Sequence, residues 1–102
     1  MLALALICPQ ISWADGFTGR EFLAWSEASQ RGYIDAQLVM ASSIVTRSKP
    51  DYAQCLADHF YSSTGLTDEG FQQIIGRVRE YAEYHPSSVL VVVIESECGA
   101  FF

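Results

Sequence analysis

Six consecutive apolar residues, Val89-Leu90-Val91-Val92-Val93-Ile94, constrain the fold more than any other stretch of this 102-residue chain. Branched residues of this kind favour strands. A strand needs a partner for its backbone, yet no other stretch reads as one. Elsewhere the apolar residues recur at steps of three and four, the period of an amphipathic helix. Pro86 and Ser87 stand where a helix begins, so the run is read as the body of a fourth helix. The expected fold class is therefore all-α: a small single-domain bundle of about four helices held by one disulfide. A chain of this length has too little interior for two cores.

The other three helices follow from caps and stripes. Thr18-Gly19-Arg20-Glu21 has the form of a capping box. From it Phe22, Trp25, Ser29, Gly32, Ala36, Val39 and Ser43 mark one predicted buried face of a long first helix. Its small residues would let another helix approach closely. Gly32 costs about 1 kcal/mol relative to alanine inside a helix. Ser48-Lys49-Pro50-Asp51 opens a second, short helix with the stripe Tyr52, Cys55, Leu56, His59 and Phe60, which stops at Ser62-Ser63-Thr64-Gly65. Thr67 caps a third, with Asp68 and Glu69 at the positive end of its dipole. Phe71, Ile74, Ile75, Val78, Tyr81 and Ala82 are its predicted core face, and His85-Pro86 ends it.

Residues 1–14 read as a secretory leader. Leu2 to Cys8 is an unbroken apolar run, and Ser12-Trp13-Ala14 offers small residues at the third and first positions before a cut. Residues 15–102 then form the mature domain, expected in the periplasm or secreted after cleavage near Ala14. The leader is shorter than the roughly 20 apolar residues a membrane span needs. Ile7 before Cys8 argues against a lipoprotein. Removal of Cys8 leaves Cys55 and Cys98, an even pair that reads as one disulfide in an oxidising compartment. A catalytic thiol at Cys55, with His59 one turn on, is the weaker alternative.

Twelve Asp plus Glu against six Lys plus Arg give a net charge of −6. Nucleic acid and anionic membranes are poor partners for such a chain, since both need a basic patch. There is no phosphate loop, no HExxH, no CxxC and no Gly-x-Ser-x-Gly elbow, so no catalytic, cofactor-binding or metal-binding residues are expected. His59 reads as a core histidine and His85 as a helix-end cap. A binding protein rather than an enzyme is what remains. One helix face buries about half of Val89–Ile94, which leaves Val91, Val93 and Ile94 as a candidate partner or homodimer surface. Glu80, Glu83, Glu95 and Glu97 would rim it and steer a basic partner. The alternative is a buried helix with a solvated acidic face.

An exported leader, Gly32-Tyr33-Ile34 in an early helix, a cysteine opening the second half, the segment TDEGFQQIIGRVREYAEYHP and a hydrophobic helix ending in Cys98 occur here together. Over about Phe22 to Phe102 this arrangement resembles the Rap/Tai-type immunity proteins, small periplasmic inhibitors of amidase toxins delivered by type VI secretion. Gln72, Val78, Tyr81 and His85-Pro86 carry the resemblance best. It implies a peptidoglycan amidase effector as the protein partner and no cofactor. Two cysteines common around the family's first helix are missing, and Ala36 and Val39 replace the Gly and Asp that often follow the Tyr-Ile pair. The chain also resembles, more distantly, the HdeA-type acid-stress chaperones. Full protonation would move its charge from −6 to +8, and such self-repulsion loosens a domain. The lysine-rich ends of those chaperones are absent. An orphan envelope protein of the same fold is the third reading.

Overall fold

Ser26 splits the expected first helix in two. In the computed structural model, which describes residues 16–101, α1 runs Gly19–Leu23 and α2 runs Glu27–Val45. Ser26 is extended, and its hydroxyl accepts from the Ser29 amide at 3.2 Å, an N-cap in the middle of the predicted helix. Gln30, the only buried polar residue among those described, reaches back from α2. Its Nε2 donates to the carbonyls of Phe22 and Leu23, both at 3.2 Å, and so satisfies the end of α1. The expected leader, residues 1–14, lies outside the described residues.

Thr18 does not form the predicted capping box, because the first amides of α1 have other partners. Gly19 and Arg20 donate to the carbonyls of Tyr84 and Ala82, at 2.8 and 3.0 Å. That docking requires a close backbone approach. A Cβ on Gly19 would lie 2.8 Å from Val78 Cγ1 and 3.1 Å from Ala82 Cα.

The core face of α2 is also not the predicted one. Gln30, Ile34, Leu38 and Val45 point inward, whereas Trp25, Ser29, Gly32, Ala36, Val39 and Ser43 are exposed. Two stripes satisfy the helical period in this segment, and the one with the larger aliphatic side chains takes the core.

Pro50 opens α3 (Pro50–Phe60), which buries Tyr52, Leu56 and Phe60. A two-residue antiparallel pair follows, β1 (Tyr61–Ser62) with β2 (Gly65–Leu66). It turns at Gly65, whose φ of +114° suits glycine. Thr67 then caps α4 (Asp68–Glu80), accepting from the Gly70 amide at 2.9 Å as its sequence position predicts. Phe71, Ile74, Ile75 and Val78 are buried as expected. The helix stops at Glu80, however, so Tyr81 faces solvent rather than the core.

The ambiguous apolar run is helical: α5 spans Pro86–Cys98. His85 caps it, its Nδ1 accepting from the Ser87 amide at 3.1 Å. The imidazole thus serves the start of α5 rather than the last carbonyls of α4. Helix α3 packs against α2, α4 and α5, while α4 packs against α1 and α5. Phe22, Leu38, Leu56, Phe60 and Val93 form the fully enclosed centre. Cys55 and Cys98 are joined, with Cα atoms 5.9 Å apart, so the bridge ties α3 to the last residue of α5.

Candidate protein-binding surfaces

The acidic side chains singled out from sequence lie in the structure as follows. Glu80 sits 3.1 Å from Arg77 Nε, and Glu83 pairs with Arg20. The hydrogen bonds from Arg20, and then its charge, hold the Glu83 carboxyl below its usual range. Glu95 accepts from the Phe101 amide at 3.0 Å. Glu97 accepts from Gln73 Nε2 at 2.8 Å and lies 3.3 Å from His59 Nε2. Each of the four is thus engaged within the chain. Glu83 precedes α5 and Glu97 lies in its last turn, and the helix's 13 residues span about 20 Å.

His59 is correspondingly not a core histidine. Its ring is partly exposed, with Nε2 3.1 Å from Gln73 Oε1, in a polar brace across α3, α4 and α5. Cys55, the alternative catalytic thiol one turn away, is consumed by the disulfide. Among the described residues no group of three or more His, Cys, Asp or Glu is placed to hold a metal ion. No helix described is long and apolar enough to cross a membrane.

Val93 and Ile94 cannot belong to an open surface. They are 0% and 2% exposed, together with Val89 and Leu90 in the core. The reason is that α5 is covered from two sides, by α3 and by α4. Val91 is half-buried, and Val92 alone of the six stands out in solvent. The tail as far as Phe101 packs beside Lys49 and Tyr52 instead. Gly99, at φ +91°, redirects the chain. The Tyr52 hydroxyl then donates to the Gly99 carbonyl at 2.7 Å, and Lys49 Nζ to those of Ala100 and Phe101, both at 3.2 Å. The Phe101 ring meets the edge of Tyr52 with centroids 5.7 Å apart.

Around Val92 a shallow cleft of about 310 Å³ opens between Tyr81, Tyr84, Ser88 and Val89. Tyr81, Tyr84 and Val92 are 43–61% exposed, and the two phenol rings lie 6.3 Å apart. Sequence reasoning placed Tyr81 inside and passed over Tyr84. The missed signal is the early stop of α4, which turns both rings off the core face. The second apolar exposure is Val39, Met40 and Ile44 on α2, at 53–61%.

No family model, curated protein or solved structure matches this chain.

Proposed function

We propose that the chain is an exported, non-enzymatic binding protein of the immunity type, which neutralises a type VI secretion amidase effector in the periplasm. The observation that carries this reading is the mainly apolar cleft lined by the exposed Tyr81, Tyr84 and Val92. Tyrosines presented in this way are favoured anchors of protein interfaces, since they bury large area at small entropic cost. The disulfide supports export, because such bonds persist in oxidising compartments.

The chaperone reading has less behind it. A protein that unfolds in acid needs carboxylates or histidines whose native state protonation disrupts. The buried set of the described residues holds only Gln30 as a polar member, and glutamine does not titrate. The Arg20–Glu83 pair is exposed on both sides and of the kind that contributes little.

The test is muropeptide release by purified type VI amidase effectors, with and without the chain. Inhibition by the native chain and its loss in Tyr84→Ala are expected. No inhibition of any effector, together with suppression of client aggregation near pH 2, would replace this reading with the chaperone one.

A further inference from the structure

The Cys55–Cys98 bridge stands at the edge of the core rather than within it. The last buried residue of α5 is Ile94, one turn before Cys98. Both cysteines are half-buried, and with Lys49, Asp51 and Tyr52 they line an open hollow of about 440 Å³ at the start of α3. Thiol–disulfide exchange depends on access to sulfur, and a bond placed in this way is open to a small dithiol.

The bridge also sets the path of the chain beyond it. Gly99, at φ +91°, turns the tail back along the start of α3. There the Tyr52 hydroxyl holds the Gly99 carbonyl at 2.7 Å, and Lys49, the only lysine in the chain, holds those of Ala100 and Phe101 at 3.2 Å. The Tyr52 ring is only 7% exposed, with the Phe101 ring centre 5.7 Å and the Lys49 ammonium 5.8 Å from its own. A hydrogen bond at the surface contributes about as much as the ordering of one residue costs. These contacts persist because the disulfide has already placed Cys98 one turn from Tyr52, which makes them intramolecular over a short tether.

We propose that the Cys55–Cys98 bond is a redox-operated latch. Reduction by a dithiol lets residues Cys98 to Phe101 leave α3 and bares the Tyr52 ring and the Lys49 ammonium, while the helical core stays folded. A thiolate of the dithiol attacks one sulfur of the bridge, the S–S bond breaks, and the other cysteine leaves as a thiolate that takes up a proton. The second sulfur of the dithiol then attacks the mixed disulfide and expels the first cysteine as a thiol. The dithiol ends as a disulfide, and its two electrons rest on the cysteine pair. Release starts at Cys98 because Glu97 remains braced by Gln73 and His59, which keeps the last turn of α5 in place. The tyrosine cleft, on the earlier part of α5, is untouched.

The single lysine supplies the test. The full disulfide-bonded chain is treated with dithiothreitol in native buffer, and acylation of Lys49 by an amine-reactive ester is followed by peptide mass spectrometry. Two free thiols should appear without denaturant. Lys49 acylation should then accelerate at least about tenfold, while helical circular dichroism and a cooperative melt are retained. The double variant Cys55→Ser, Cys98→Ser should label like the reduced protein and ignore the dithiol. A bridge that yields only in urea overturns the proposal, as does an unchanged Lys49 rate after reduction. Loss of the cooperative melt on reduction, or a double variant that does not fold, also overturns it and makes the bond a staple of the whole domain.

Discussion

Two helix glycines should respond to alanine with opposite sign. Gly19 and Gly32 both lie in helices, where alanine is the better helix former by about 1 kcal/mol. At Gly32 the new methyl meets nothing within 4 Å. Gly32→Ala should therefore stabilise by about 0.5–1 kcal/mol, largely through the unfolded chain. At Gly19 the methyl would sit 2.8 Å from Val78 Cγ1 and 3.1 Å from the Ala82 backbone. Val78 is itself enclosed at 1% exposure, and a backbone atom does not rotate aside. Either α1 lifts and its amide bonds to Tyr84 and Ala82 lengthen, or the core shifts. Overpacking of this kind costs about 1–3 kcal/mol, more than the propensity gain. For a domain this small, each kcal/mol moves the melting temperature by roughly 4–8 °C. Urea and thermal unfolding measure both variants. A neutral or stabilising Gly19→Ala would refute the docking of α1 on α4. A destabilising Gly32→Ala would mean that the outer face of α2 is covered within the monomer.

Removal of the bridge is the largest single loss expected. Cys55 and Cys98 are 43 residues apart, and closing such a loop stabilises by about 4 kcal/mol in the chain-entropy treatment. Cys98→Ser and reduced native protein should give matching urea midpoints, and a loss below about 1 kcal/mol would contradict the structural role assigned to the bond. Gln30→Ala leaves the Leu23 carbonyl without its donor, while that of Phe22 keeps the Trp25 amide, and should cost about 1–3 kcal/mol; an unchanged midpoint would mean that water replaces the amide. At high pH two phenols matter. Burial, and then Asp35, raise the Tyr61 hydroxyl, while burial and then Glu95 raise Tyr52. Because the fold favours their protonated forms, this stability is complete below the unfolded value of about 10 and is lost as the pH rises above it. Tyr61→Phe should shallow that alkaline decline, and an identical slope would remove Tyr61 from the account.

The helices differ in how far they could be read from residue pattern alone. Helix α4 was legible because its two sides differ in kind: Phe71, Ile74, Ile75 and Val78 inside, Glu69, Gln72 and Arg79 outside. Helix α2 was not, since a segment without charge satisfies the helical period on both sides. Small size at Gly32 and Ala36 read as a core contact when it marks the side facing away from the core. The break at Ser26 was equally hidden. It rests on Gln30 finding the carbonyls of α1, a contact across the corner that no local propensity encodes. The disulfide was legible from parity and spacing, and its geometry adds only which helices it joins.

The surfaces were harder to foresee than the core, for a physical reason. Whether Val92 is open depends on what flanks α5 from both sides, and whether Tyr81 is open depends on the point at which α4 stops. A shift of that stop by one turn would return Tyr81 to the core face and close the cleft. Both exposed apolar features thus arise where a helix satisfies its own core with residues to spare. They lie on separate elements, the cleft on the α4–α5 corner and the uncharged face on α2. Substitutions at Tyr84 and at Ala36 should therefore change the urea midpoint independently, and the double variant should show the sum, as distant sites without shared partners do. A double variant whose midpoint departs from that sum by more than about 0.5 kcal/mol would mean that the two surfaces are coupled.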